Sequence, residues 1–209
     1  GIGADSRRKS QLSRTQGLAV DALLNSGIPA TVLESAVIYG VGDAFTTMLA
    51  GLARLAPFVA VPGNGRSRFE PIHAVDVAQA AVNALDIPKT IDGRFQIAGP
   101  QVLTLDEIIH HLLDVTAMRR TLLHVPLPVM RPLVRILQSI LSEPPATIAL
   151  LDLLALDILA EPNDLYWLIE GKPKRFRENT SYLQDITANQ VLEILLGRKD
   201  RRGQPPEYS

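Results

Sequence analysis

Arg66, Arg68 and His73 fall within one short stretch, and all three are residue types that handle anions. A guanidinium can meet phosphate or carboxylate oxygens in pairs, so two arginines separated by one residue could clamp an anion. The same residues, with Glu70 alternating against Ser67, Phe69 and Pro71, also describe an ordinary solvent-facing strand edge. His73 closes the stretch as a candidate substrate contact, but with Asp76 three positions on, the favoured reading is structural, helping to cap the next helix. His110 and His111 share a helical segment with Asp106, Glu107 and Asp114. Adjacent side chains diverge on a helix, so no metal site is expected there. The most basic run, Gly171 to Arg177, could touch phosphates or an anionic membrane surface. Phe176 is embedded within it.

The elements that must position these residues follow from spacing and turn chemistry. Ser13 to Asn25 has helical periodicity and is closed by Gly27. The apolar runs Ala30 to Leu33 and Ala36 to Tyr39 suit buried strands ending at Gly40 and Gly42, and a helix followed by a buried strand predicts a parallel α/β sheet. A helix over Ala44 to Leu55, a strand over Phe58 to Val61 and a turn at Pro62-Gly63-Asn64-Gly65 come next. Val77 to Leu85 is expected to be a helix covering the sheet with Val77, Ala81, Val82 and Leu85, followed by a strand from Arg94 to Ala98.

Thr104-Leu-Asp-Glu107 is a capping-box sequence, and Leu105, Ile108, Ile109 and Leu112 form the apolar stripe behind it. Val129, Met130, Leu133, Leu137, Ile140 and Leu141 form a second stripe, and Ala146 to Leu159 a third helical segment. Strand-bearing sequence therefore gives way to helix-rich sequence near Gly99. The expected organisation is 1–100, 101–196 and a mobile tail at 197–209.

Composition removes several function classes. With 209 residues and 46% hydrophobic content, the chain can bury one ordinary domain or a domain and a smaller annex. Twenty-one basic against twenty-two acidic residues give no electrostatic reason to expect nucleic acid. The absence of cysteine excludes disulfides and thiolate catalysis, and fits a reducing compartment. The apolar region from Val125 to Leu159 is interrupted by Arg131, Arg135, Glu143, Asp152, Asp157 and Pro144-Pro145, so it lacks the roughly 20-residue run of a transmembrane helix. The opening residues carry neither an initiating Met nor a signal-like apolar run, and suggest an internal starting point.

The block G-N-G-R-S-R-F-E-P-I-H-A-V-D-V-A from Gly63 to Ala78, preceded by A-V-I-Y-G-V-G-D from Ala36 to Asp43, resembles the second half of an atypical short-chain dehydrogenase of the epimerase/dehydratase type. The resemblance is strongest to the branch of the dehydrogenase-like accessory subunit of respiratory complex I. It implies the rear half of a Rossmann-like NAD(P)-binding sheet with a helix-rich carboxy-terminal region, an incomplete α/β fold. Under it, Ser10 and Arg14 occupy the positions of the catalytic Tyr-x-x-x-Lys dyad. Arg14 could still reach a ribose, but Ser10 cannot act as an acid of phenolic strength.

The resemblance also implies that the backbone of Ala36, Val37 and Ile38 passes close to the nicotinamide, and that Arg66, Arg68 and His73 line the substrate side. No glycine-rich strand-to-helix turn for a pyrophosphate occurs in these residues. NAD or NADP is therefore expected for a complete protein, with weak or no binding by this chain alone. Two functions follow from the resemblance. One is an oxidoreductase or nucleotide-sugar epimerase-like protein, inactive alone; the other is a non-catalytic accessory scaffold. The expected partners are a dinucleotide, a nucleotide-linked or quinone-like small molecule, and a protein or membrane surface met by the helical region. The expected location is cytoplasmic or peripheral to a membrane.

Overall fold

The computed structural model describes residue 2, residues 11–140 and residues 147–184. In chain order the elements are α1 (Gln11–Leu24), β1 (Val32–Ser35), β2 (Ile38–Tyr39), α2 (Ala44–Leu55), β3 (Phe58–Pro62), β4 (Arg68–Phe69), β5 (Ile72–His73), α3 (Ala74–Asp86), β6 (Arg94–Ile97), β7 (Leu103–Thr104), α4 (Leu105–Val115), β8 (Thr121–Val125), α5 (Leu127–Ile140), α6 (Ile148–Leu154) and α7 (Leu165–Leu168). The strands form four two-stranded ladders: β1–β6, β2–β5 and β3–β8 are parallel, and β4–β7 is antiparallel. Parallel neighbours need long crossovers, and α2 and α3 lie between the strands so joined. The expected α/β architecture with parallel pairing is what the described residues adopt.

Local differences have physical causes. The first strand begins two residues later than its apolar run and ends at Ser35, because β1 is paired in register from Val32↔Arg94 to Ser35↔Ile97. The Ala36 N–H continues that ladder to the Ile97 carbonyl, and the chain then changes partners. The Val37 carbonyl accepts the Ile72 N–H, and Ile38 pairs with Ile72. The second apolar run therefore yields only two strand residues.

Helix α3 turns a different face inward from the one expected. Asp76, Ala80 and Ala84 are buried and Val77 packs partly against the core, while Val82 and Leu85 are exposed. This helix is apolar around most of its circumference, so periodicity alone does not select its inward face. The segment expected from Ala146 to Leu159 is helical only over α6, and Ile158 pairs with Phe69 as an isolated parallel bridge. Residues 141–146 and the tail 197–209 lie outside the described residues.

Ladders β3–β8 and β4–β7 join strands from either side of residue 100. A common core contains Tyr39, Phe69, Ile72, Ile97, Leu105, Ile108, Leu165, Phe176 and Leu183. The capping box at α4 is complete: Glu107 N–H donates to Thr104 Oγ1 and Thr104 N–H to Glu107 Oε2. Two glycines permit close approaches. A Cβ on Gly65, whose φ is 69°, would overlap the Asp106 carboxylate, and one on Gly99 would overlap the Pro71 carbonyl. Among the described residues, no helix is long and apolar enough to cross a membrane.

Candidate functional site

The ends of β2 and β5 meet the start of α2, the start of α3 and the segment from Lys174 to Tyr182. Asp43 caps α2 by accepting from the Thr46 N–H at 2.6 Å, and its carboxylate also receives the Tyr182 hydroxyl at 2.7 Å and the Gly40 N–H at 3.3 Å. The Gly40 N–H is shared with the Tyr182 oxygen at 3.1 Å, and Thr46 Oγ1 lies 2.8 Å from that oxygen. Burial is the main force that pushes the Tyr182 phenol well above its usual range, with the Asp43 charge adding to it.

Tyr39 is fully buried and donates to the Lys174 carbonyl at 3.2 Å. Its phenol is also driven far upward, first by burial and then by the charges of Asp76 and Glu178. Phe176 packs edge-on to Tyr39 with ring centres 4.8 Å apart, and His73 does so at 5.1 Å. The buried Asp76 carboxylate receives the Lys174 N–H at 2.7 Å. These contacts dock the basic run through its backbone and Phe176.

His73 caps α3, its Nδ1 accepting the Val75 N–H at 3.1 Å. Burial lowers its pKa, Asp76 opposes the shift and Lys174 adds to it, so the ring is neutral at neutral pH. With Nδ1 accepting, the neutral ring carries its proton on Nε2. The cap role foreseen for His73 is present, supplied by His73 itself, while Asp76 turns inward.

The remaining expected residues are dispersed. Ser10 lies outside the described residues. Arg14 is exposed on α1. Ala36 is buried, Val37 contributes its carbonyl to Ile72, and Ile38 is partly exposed on β2. Arg66 is exposed, its N–H bound by the Asn64 side chain. The Arg68 guanidinium is engaged within the chain: Nε and Nη2 both donate to Asp157 Oδ2, at 2.9 and 2.6 Å, while its backbone N–H meets Oδ1. These bonds hold the Asp157 carboxyl below its usual range.

His110 is exposed, and His111 pairs with Thr180 Oγ1 at 2.8 Å. Burial, followed by the Arg177 charge, lowers the His111 pKa. Asp106, considered above as a neighbour of His110, instead meets His124 Nε2 at 2.9 Å. The pair is not legible in the sequence, because only the pairing of β8 with β3 brings His124 to the Gly65 turn. A cavity of about 490 Å³ lies beside this turn, lined by Pro62, Gly63, Asn64, Ser67, Pro126 and Leu127 among others.

Chemically, the ends of β2 and β5 present a neutral imidazole, two phenols held protonated and carboxylates already engaged. Proton exchange by a phenol requires an acidity opposite to the shifts at Tyr39 and Tyr182.

No family model matches the chain. It is 27% identical over 129 residues to mitochondrial NADH dehydrogenase (ubiquinone) 1 alpha subcomplex subunit 9 of Arabidopsis thaliana, covering 61% of this chain and 32% of that protein. The subunit of the same name from Dictyostelium discoideum is 28% identical over 109 residues, covering 52% and 30%. Among solved structures, the fold is similar to UDP-glucuronic acid 4-epimerase of Bacillus cereus in complex with UDP-glucuronic acid and NAD, with a TM-score of 0.55, 17% identity and coverage of 93% of this chain and 58% of that one. It is also similar to dTDP-glucose 4,6-dehydratase of Bacillus anthracis in complex with NAD, with a TM-score of 0.53, 14% identity and coverage of 90% and 51%. The chain thus spans about a third of the length of the curated relatives and about half of the solved structures. The likeness is to the complex I subunit in sequence and to NAD-complexed epimerases and dehydratases in fold.

Proposed function

We propose that these residues form the rear part of a short-chain-dehydrogenase-like NAD(P)-binding protein whose role is accessory rather than catalytic, like the subunit role named for the curated relatives. The observation that carries this reading is the state of the phenols. Ser10 stands where the dyad phenol is expected, and the two tyrosines at the ends of β2 and β5 are tied to Asp43 and to the Lys174 carbonyl with raised pKa values.

The residues fit a dinucleotide in part. Arg14, exposed on α1, carries the type of group that meets a ribose, and Ile38 is exposed on β2, whereas Ala36 is buried and the Ala36 N–H and Val37 carbonyl are already bonded to Ile97 and Ile72. A bound dinucleotide would supply hydride chemistry or its shape alone. Nothing in these residues supplies the glycine-rich turn that grips a pyrophosphate. A second reading, an oxidoreductase or nucleotide-sugar epimerase-like enzyme, draws on the fold shared with NAD-complexed epimerases and needs its proton donor from elsewhere.

Calorimetric titration of NADH and NADPH into the 209-residue chain tests the proposal. No saturable heat is expected for either. Tight binding of one of them, weakened by Arg14→Ala, would overturn the view that these residues lack a working cofactor grip.

A further inference from the structure

Helix α3 is apolar on two sides, and only one of them meets the core. Asp76, Ala80 and Ala84 are buried. Val75, Ala78, Val82 and Leu85 are exposed, the valines and the leucine by 53%, 61% and 86%. Successive helical residues turn by about 100°, so these four lie within about 40° of the direction opposite Ala80. They form one crest, and their spacing of three, four and three residues is the a/d repeat of a coiled-coil seam. Ala74 and Ala81 flank the crest on one side, Gln79 and Asp86 on the other.

Three features point to a second copy of this chain as the occupant. Valine at both a positions with leucine at the second d is the combination that favours two-stranded pairing. The crest is also its own complement. Run antiparallel against itself about a twofold axis, it sets Val75 opposite Leu85 of the other copy and Ala78 opposite Val82, and the small Ala78 lets the middles of the helices approach. Asp86, the one charge beside the crest, then falls near Gln79 of the other copy, so no like charges meet. Finally, no free cation guards the end of the crest. Lys89, four residues beyond Leu85, lays its amine over the Trp167 ring, 4.1 Å from the centre. The helix itself contains no lysine or arginine that would draw it to an anionic surface.

We propose that α3 is a self-association surface, through which two copies of this chain pair as antiparallel helices with Val75, Ala78, Val82 and Leu85 as the seam. At 13 residues the helix is about 20 Å long, so the contact is smaller than a standard interface and the dimer is correspondingly weak. The pairing goes beyond the accessory reading and stands whether or not a dinucleotide binds.

Sedimentation velocity of the 209-residue chain from about 1 to about 300 µM tests it. The mass should rise from one chain to two, with a dissociation constant of about 10–100 µM that tightens in sulfate. Val82→Glu, which would bury an unpaired charge in each copy, should weaken the dimer by about tenfold or more. Leu85→Ala should do so by about tenfold. Both variants should keep the parent's circular dichroism and melting temperature at dilution, because the altered side chains face solvent. The chain has no cysteine, so introduced thiols report the geometry without background. Chains with Ala78→Cys and chains with Val82→Cys should form a disulfide-linked dimer when mixed and oxidised, well beyond either alone, whereas Leu133→Cys, at an exposed site on α5, should not. A chain that stays monomeric over this range, a dimer indifferent to Val82→Glu, or linkage through Leu133→Cys in preference to the α3 pair would each overturn the proposal. Efficient linkage by Ala78→Cys alone would overturn the antiparallel seam.

Discussion

Replacing Phe176 with alanine tests whether the segment beyond Gly171 belongs to the core. Its side chain is fully buried, edge-on to Tyr39 at 4.8 Å and tilted against His111 at 5.5 Å. Truncating a buried phenylalanine costs about 3–5 kcal/mol, combining lost transfer energy with the cavity left behind. For a chain of this size, each kcal/mol moves the melting temperature by about 2–4 °C, so Phe176→Ala should lower it by about 6–20 °C. Urea titration should show the midpoint moving down with little change in slope.

A second readout separates docking from mere hydrophobicity. Burial is the first cause of the lowered His111 pKa, so opening the Phe176 space to water should let that pKa rise towards its ordinary value, as followed by the ring proton shifts in NMR. Phe176→Leu, which retains most of the volume, should cost far less and leave the histidine titration nearly in place. A loss below about 1 kcal/mol for the alanine variant, the range of ordinary surface changes, would refute the argument that this segment is locked into the fold.

Folding stability should fall on acidification from about pH 6.5, because His73 and His111 both have lowered pKa values in the fold and the unfolded chain takes up their protons first. Urea midpoints measured from about pH 8 to about pH 5 should show this, and His111→Gln should flatten part of the slope; a slope unchanged by that variant would deny His111 its share. Gly65→Ala should cost about 1–3 kcal/mol in urea unfolding, since φ is 69° and the new methyl meets the Asp106 carboxylate. Tyr182→Phe removes a hydroxyl bound to a carboxylate, a backbone N–H and Thr46. It should cost about 1.5–3 kcal/mol, and an unchanged thermal melt would show that the hydroxyl has no structural duty.

What could be read in advance was what is encoded locally. Thr104 and Glu107 satisfy each other within one helical turn, so their pattern is legible without any knowledge of the remainder. The same holds for the Gly63 and Gly65 turn, where both glycines have positive φ. The inward face of α3 was not legible, because its alanines and valines leave the choice open. The face is fixed by tertiary contacts, among them the bond from the Lys174 N–H to buried Asp76. Arg68 could be read as an anion binder from its type, but its anion is Asp157, which lies 89 residues further along the chain. His124 with Asp106 required a strand whose pattern was too weak to recognise.

The proposed accessory role is consistent with how the ends of β2 and β5 are filled. A catalytic phenol must be able to lose its proton, which calls for a nearby cation and some access to water. Tyr39 and Tyr182 have the reverse surroundings: burial and neighbouring carboxylates hold both protonated. The bonds that tie them recruit Gly40, Asp43, Thr46 and the Lys174 carbonyl. Freeing either phenol for chemistry would therefore loosen the docking of the segment from Lys174 to Leu183. Here the phenols hold that segment against the ends of β2 and β5.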